Sequence, residues 1–142
     1  MLFRFCFRLL LLAPLLLTAA CQQRKPVVIS SPASMKQLEG TWLSSHEENV
    51  GDTLVYRPNT YKFPPARGRT GFEFKEFGRF EQFDIAPTDG LAGHPGSWVI
   101  DGKNSNKIRI HLDEGQEPDY DLEVLALKNK VLKLRKLPAG KP

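Results

Sequence analysis

Few side chains in this 142-residue chain are of a type and spacing that could do chemistry. Cys6 lies in an apolar N-terminal segment. Once that segment is removed on export, Cys21 is the only thiol left and stands at the new N-terminus, so no internal disulfide can form and the thiol is open to modification. His46, His94 and His111 each have carboxylates near them, but no pair has ligand spacing on one element. A surface histidine is expected at each, and no metal site. No serine stands in the strand-turn-helix pattern of a nucleophile elbow. Segment 58–70 offers different chemistry: Arg67 and Arg69 are bidentate donors for a carboxylate or phosphate, and Tyr61 and Phe63 are aromatics that could cover a pocket. Thirteen residues without strand pattern are unusual in a small domain and suggest a lid or binding loop. The plainer alternative is a surface loop clamped by Pro64-Pro65 whose aromatics cap the core. The glycine-rich stretch 89–96 lacks the spacing and the following helix of a phosphate cradle. From these residues the chain is expected to be no enzyme, with no cofactor.

The elements around them follow from patterning. Residues 1–20 have the parts of an export signal: Arg4 and Arg8, an apolar run over 9–17, and the small residues Thr18, Ala19 and Ala20. The run is too short to span ~30 Å of hydrocarbon, which takes roughly 20 apolar residues. Removing it with its two arginines leaves 18 basic against 16 acidic side chains, a net of +2, so no nucleic-acid partner is expected. The charges are sorted into an acidic block over 113–123 and a basic block over 128–141, read as cross-strand pairing on a solvated face rather than as a polyanion site. Residues 22–34, with two prolines and no period, read as a tether. Ser34 and Gln37 have capping-box spacing and predict one helical turn over 35–38.

Everything after Gly40 reads as strand, over 41–45, 53–57, 71–76, 79–85, 97–101, 107–112, 120–127 and 131–137. Ile108, Ile110 and Leu112 alternate with Lys107, Arg109 and His111, and Phe72 and Phe74 alternate with polar neighbours, so each strand buries one side. Phe80 is out of phase with Phe83 and Ile85, which predicts a bulge near Glu81 or Gln82. Tyr120, Leu122, Val124 and Ala126 share a face, and Lys128-Asn129-Lys130 makes a tight turn. With no helix for parallel crossovers, the strands are expected to pair antiparallel in chain order. The domain over 35–142 is therefore predicted to be all-β, a small eight-stranded antiparallel up-and-down barrel, since closure removes exposed edges; a two-sheet β-sandwich is the alternative. Trp42, Tyr56, Phe72, Phe74, Trp98 and Ile110 belong to a bulky inward set that strand lengths of five to eight residues leave little room to hollow out.

Two resemblances add to this reading. Leu17-Thr18-Ala19-Ala20-Cys21 resembles the lipobox of bacterial lipoproteins, which implies a diacylglycerol thioether on Cys21, palmitate-type acyl chains and a membrane partner. Two or more acyl chains anchor durably at ~0.8 kcal/mol per methylene. Gln22, where such lipoproteins carry Asp for inner-membrane retention, implies the outer membrane, with the domain in the periplasm. Gly40-Thr41-Trp42, opening the first strand after a helical turn, resembles the Gly-x-Trp signature of lipocalin-like, calycin-type barrels. That resemblance covers about residues 35–137 and implies a basic side chain from the last strand, best Arg135, packed across Trp42. It also implies a small, partly apolar ligand, with Tyr61, Phe63, Arg67, Arg69, Phe72, Phe74 and Trp98 as candidate contacts. The alternative expectation is an interaction lipoprotein with a solid core that docks another envelope protein.

Overall fold

The computed structural model describes residues 29, 31–87, 90–114 and 118–140. The export segment, Cys21 and the tether through residue 28 lie outside them, as does part of the turn over 87–90. Eight strands close into an all-antiparallel barrel, which excludes the sandwich: β1 Gly40–Ser44, β2 Leu54–Pro58, β3 Gly71–Phe74, β4 Arg79–Ile85, β5 Leu91–Ile100, β6 Lys107–Leu112, β7 Tyr120–Lys128 and β8 Val131–Pro138. The architecture is compatible with a lipocalin-like fold. Closure follows from the sequence pattern, because half-buried strands of this length leave no edge unpaired only when the first and last neighbours meet.

From β3 to β8 the strands neighbour in chain order, but β1 and β2 are exchanged: β1 lies between β2 and β3, and β2 closes the barrel on β8. Since β2 and β3 both run antiparallel to β1, they run parallel to each other. The chain leaving the lower end of β2 must travel back before β3 can begin at the upper end. That requirement explains the length of segment 59–70. The segment leaves beside Thr41, whose carbonyl accepts from Asn59 N–H at 3.2 Å, and returns beside Ser44, whose N–H donates to Thr70 O at 2.8 Å. It is a strap across β1, not a lid.

A helix, α1 (Pro32–Leu38), plugs the lower end, where β1 begins. It starts three residues earlier than the capping-box spacing predicts: Ser31 is the N-cap, accepting from Ser34 N–H at 3.1 Å, and Pro32 opens the first turn, where its missing N–H is no loss. Leu38, Ile29 and the half-buried Met35 seal the core from below. Trp42 Nε1–H donates to Leu38 O at 2.7 Å, tying plug to barrel. Arg135 does not pack across Trp42. It faces outward from β8 and pairs with Asp52 at 2.7 Å and Glu123 at 3.1 Å, because the β8 residues that face inward are those in step with Leu132 and Leu134.

Three further local expectations are corrected. The register of β4 is unbroken against both β3 and β5, so there is no bulge near Glu81: Phe80, Gln82 and Asp84 face inward, and Phe83 and Ile85 face outward. The bulge lies in β7, between Val124 and Ala126, and moves Ala126 off the inward face and Leu127 onto it, opposite Leu132. From Leu91 on, the glycine-rich stretch is strand and opens β5, where Gly96 permits a backbone approach that a Cβ would block at 2.2 Å from His111 O.

Candidate functional site

The interior is filled. From the upper rim downward, Tyr56, Phe72, Phe80, Phe74 and Trp98 pack ring to ring, with centroids 4.6 to 5.8 Å apart. Ile108, Ile110, Leu132, Leu134 and Val124 occupy the rest of the core. Trp98 turns its Nε1–H to Lys75 O at 3.1 Å, which satisfies the indole donor. Phe74 and Trp98 are therefore buried core side chains.

Among the described residues a cavity of about 150 Å³ opens at the upper mouth, between Leu54, Tyr56, Phe72, Gln82, Asp84, Tyr120, Leu122 and Lys136, and a more open hollow of about 680 Å³ borders it, sharing Tyr120 and Lys136. Its polar side is built by inward residues at the strand ends. Tyr120 O–H donates to Gln82 Oε1 at 2.7 Å, Gln82 Nε2–H donates to Asp84 Oδ2 at 3.0 Å, and Lys136 Nζ stands 4.1 Å from the Tyr120 ring centroid. His94 joins from β5, its Nε2 3.6 Å from Asp84 and its Nδ1 3.1 Å from Glu114. Burial raises the Tyr56 phenol above its ordinary range, so that ring is a neutral wall. A benzene-sized molecule fits 150 Å³, whereas small-molecule sites run from roughly 300 Å³ upward. Of the expected contacts only Phe72 lines this mouth.

Tyr61, Phe63 and Arg69 come together elsewhere, on the outer side of β1. Tyr61 meets Phe63 edge to face at 5.0 Å, the Arg57 guanidinium lies 4.7 Å over Tyr61, and that of Arg69 lies 4.5 Å over Phe63. Arg69 spends its donors on Ser44 O and Pro64 O, both at 2.9 Å, and on Glu47 at 3.0 Å. Arg57 holds Glu48 at 2.7 Å. These guanidiniums hold the carboxyls of Glu47 and Glu48 down at about 2. The strap is clamped to the wall through Arg69, whose donors are taken up within the fold. Arg67 is exposed on the strap and reaches no part of the mouth.

Among the described residues the two charge blocks meet at the ion pair of Glu123 with Arg135, and the acidic block otherwise pairs mostly across to β6. Asp121 meets Arg109 at 3.0 Å, Glu123 meets Arg135, and Asp119 meets His111 at 2.7 Å, which raises the imidazole's pKa. Among the described residues no group of three or more His, Cys, Asp or Glu could hold a metal ion, and no helix is long and apolar enough to cross a membrane.

Gln82, Asp84, His94 and Lys136 are the mouth residues that sequence reasoning missed. A strict period of two counted from Phe80 places Gln82 and Asp84 inward, but the apolar Phe83 and Ile85 point to the opposite reading. The same β4–β5 hairpin rises above its neighbours: β3 pairs with β4 only as far as Phe83, and β6 pairs with β5 only as far as Gly96. Its overhang carries Ile85 and Leu91 side by side on the outside, 50% and 56% exposed. Comparison of the chain with protein-family models, curated proteins and solved structures gives no match.

Proposed function

We propose that this chain is a non-catalytic interaction lipoprotein of the cell envelope, held through lipid on Cys21 at the outer membrane, with a solid barrel that docks another envelope protein in the periplasm. The filled interior carries the reading: aromatic side chains occupy the space a carrier would keep for cargo. The overhang of β4 and β5 is the docking element, because Ile85 and Leu91 form an exposed apolar pair at the end opposite the N-terminal plug. A second reading is favoured by one observation, the 150 Å³ mouth, whose Lys136 and Tyr120–Gln82 pair suit a small carboxylate with an apolar body.

Native mass spectrometry of the chain purified from producing cells distinguishes the two. A protein with acyl chains and no other bound molecule supports the docking reading, as does a discrete photo-crosslinked envelope protein at Leu91 that disappears with Ile85→Asp. A stoichiometric small molecule that is lost with Lys136→Met would overturn it in favour of the second reading.

A further inference from the structure

We infer that the lower end of the barrel is a contact face for an anionic lipid bilayer. That end consists of α1 and three hairpin tips, and two of the tips hold side chains in left-handed backbone. Phe77, between β3 and β4, has φ +60° and ψ +30° and is 94% exposed; Lys130, between β7 and β8, has φ +57°. The two-residue turn between β7 and β8 itself requires positive φ at Asn129 and Lys130, whereas at Phe77 glycine would serve with less strain, and an aromatic so exposed packs nothing in the fold. Strain of this kind persists where the side chain itself is used.

Charge is sorted along the same axis. Lys36, Arg79, Lys103, Lys128 and Lys130 are exposed at the lower end against Glu39, Glu76 and Asp101, while at the upper end Asp52, Asp84, Asp113, Glu114 and Asp119 stand against Arg67 and Lys136. The β3–β4 and β7–β8 tips stand on opposite sides of the ring, with the β5–β6 connection of Lys103 between them. An aromatic tip and two cationic ones therefore meet a surface together. Between α1 and the β7–β8 turn runs an open groove of about 400 Å³, walled by Gln37, Glu39, Thr60, Lys128 and Lys130, in which the two lysines outnumber the one carboxylate, and of a size for a phospholipid headgroup. Anionic surfaces attract such cations, and amphipathic aromatics settle at the headgroup boundary.

The chain also enters the fold here. Ile29 N–H donates to Ser105 O at 2.9 Å in the β5–β6 connection, so Cys21, eight residues upstream, reaches no more than about 28 Å from this face. The bilayer would meet the plugged end and leave the mouth and the β4–β5 overhang pointing away. The charge, the tip geometry and the groove do not depend on acylation of Cys21.

The full chain carrying Phe77→Trp, recovered from producing cells with its intact mass recording any acylation, is combined with brominated phosphatidylcholine vesicles with and without phosphatidylglycerol. The expected result is quenching of the added tryptophan, beyond that of the unsubstituted chain, in the anionic vesicles at low salt. Lys128→Glu with Lys130→Glu should lower the bilayer-facing population about twentyfold or more, at roughly fivefold per cation near an anionic surface. No extra quenching in anionic vesicles, or equal quenching in neutral ones, overturns the inference. The recorded mass reports separately on the anchor, so failure of the lipid attachment and failure of the face are told apart.

Discussion

Phe74 and Phe77 are three residues apart, yet their truncation should have opposite consequences. Phe74 is 1% exposed and packs its ring against Phe72, Phe80 and Trp98 with centroids at 5.1, 5.3 and 5.4 Å. Phe74→Ala removes a buried ring from a site whose neighbours are themselves locked by one another and by the Trp98–Lys75 hydrogen bond, so collapse into the void is limited. The transfer and cavity terms for such a change total about 3–5 kcal/mol, and the three aromatic partners place this one in the upper part of that range. At roughly 4 °C per kcal/mol for a domain of this size, the midpoint of thermal unfolding should fall by about 15 °C. Phe77→Ala, at an exposed tip, should change stability by no more than about 0.5 kcal/mol. Differential scanning calorimetry gives both numbers. Titration with benzene, or with a hydrophobic dye of similar size, adds a functional reading: the native barrel offers such a molecule its mouth, and Phe74→Ala should add a further site in the new void. A Phe74→Ala loss below 1 kcal/mol, or equal dye binding by the native and truncated proteins, would refute the claim that the interior is filled.

Phe77→Gly should stabilise the chain by about 0.5–1 kcal/mol in urea titration, since a left-handed residue is strained by roughly 1–2 kcal/mol and glycine's extra chain entropy returns about half of that. Gly71→Ala should destabilise by about 2 kcal/mol or more, because the new Cβ would stand 2.2 Å from Trp42 O where the strap re-enters the sheet; a neutral result would show that β1 and β3 are not held as closely as described. Asp121→Ala should cost about 1–3 kcal/mol by leaving Arg109 without its 3.0 Å partner and releasing Gly140, whose N–H reaches Asp121 Oδ2 at 3.3 Å; amide exchange at Gly140 should accelerate with it. Glu47 and Glu48 titrate near 2 in the folded chain and near 4.5 unfolded, so their contribution is fully present above pH 4.5 and fades as pH falls toward 2. Carboxyl NMR titration checks the values, and Arg69→Ala should return Glu47 toward the ordinary carboxylate range.

The alternation of apolar side chains in single strands is a local property, and it was enough to place eight strands, though not the first half of β5, to give their one-sided burial, and to favour a closed antiparallel barrel with Trp42, Phe72, Phe74 and Trp98 inside over the sandwich that the same pattern allows. That the acidic block pairs across strands was legible too, but its partners are mostly on β6, with Glu123 reaching the basic block at Arg135. What alternation does not encode is which strand lies beside which, and β1 takes its place between β2 and β3 only through long-range pairing. That exchange turned segment 59–70 from a lid into a strap and moved Tyr61, Phe63 and Arg69 from the mouth to the outer wall. The phase of β4 was decided the same way, by its partners on both sides, which set Gln82 and Asp84 inward against the apolar pull of Phe83 and Ile85. At a rim, water reaches both faces of a strand, so burial no longer forces polar residues out, and the mouth residues leave no trace in the hydrophobic period. Residue type and spacing determined the barrel. The long-range register alone decided which end is plugged, which is open, and what each end presents.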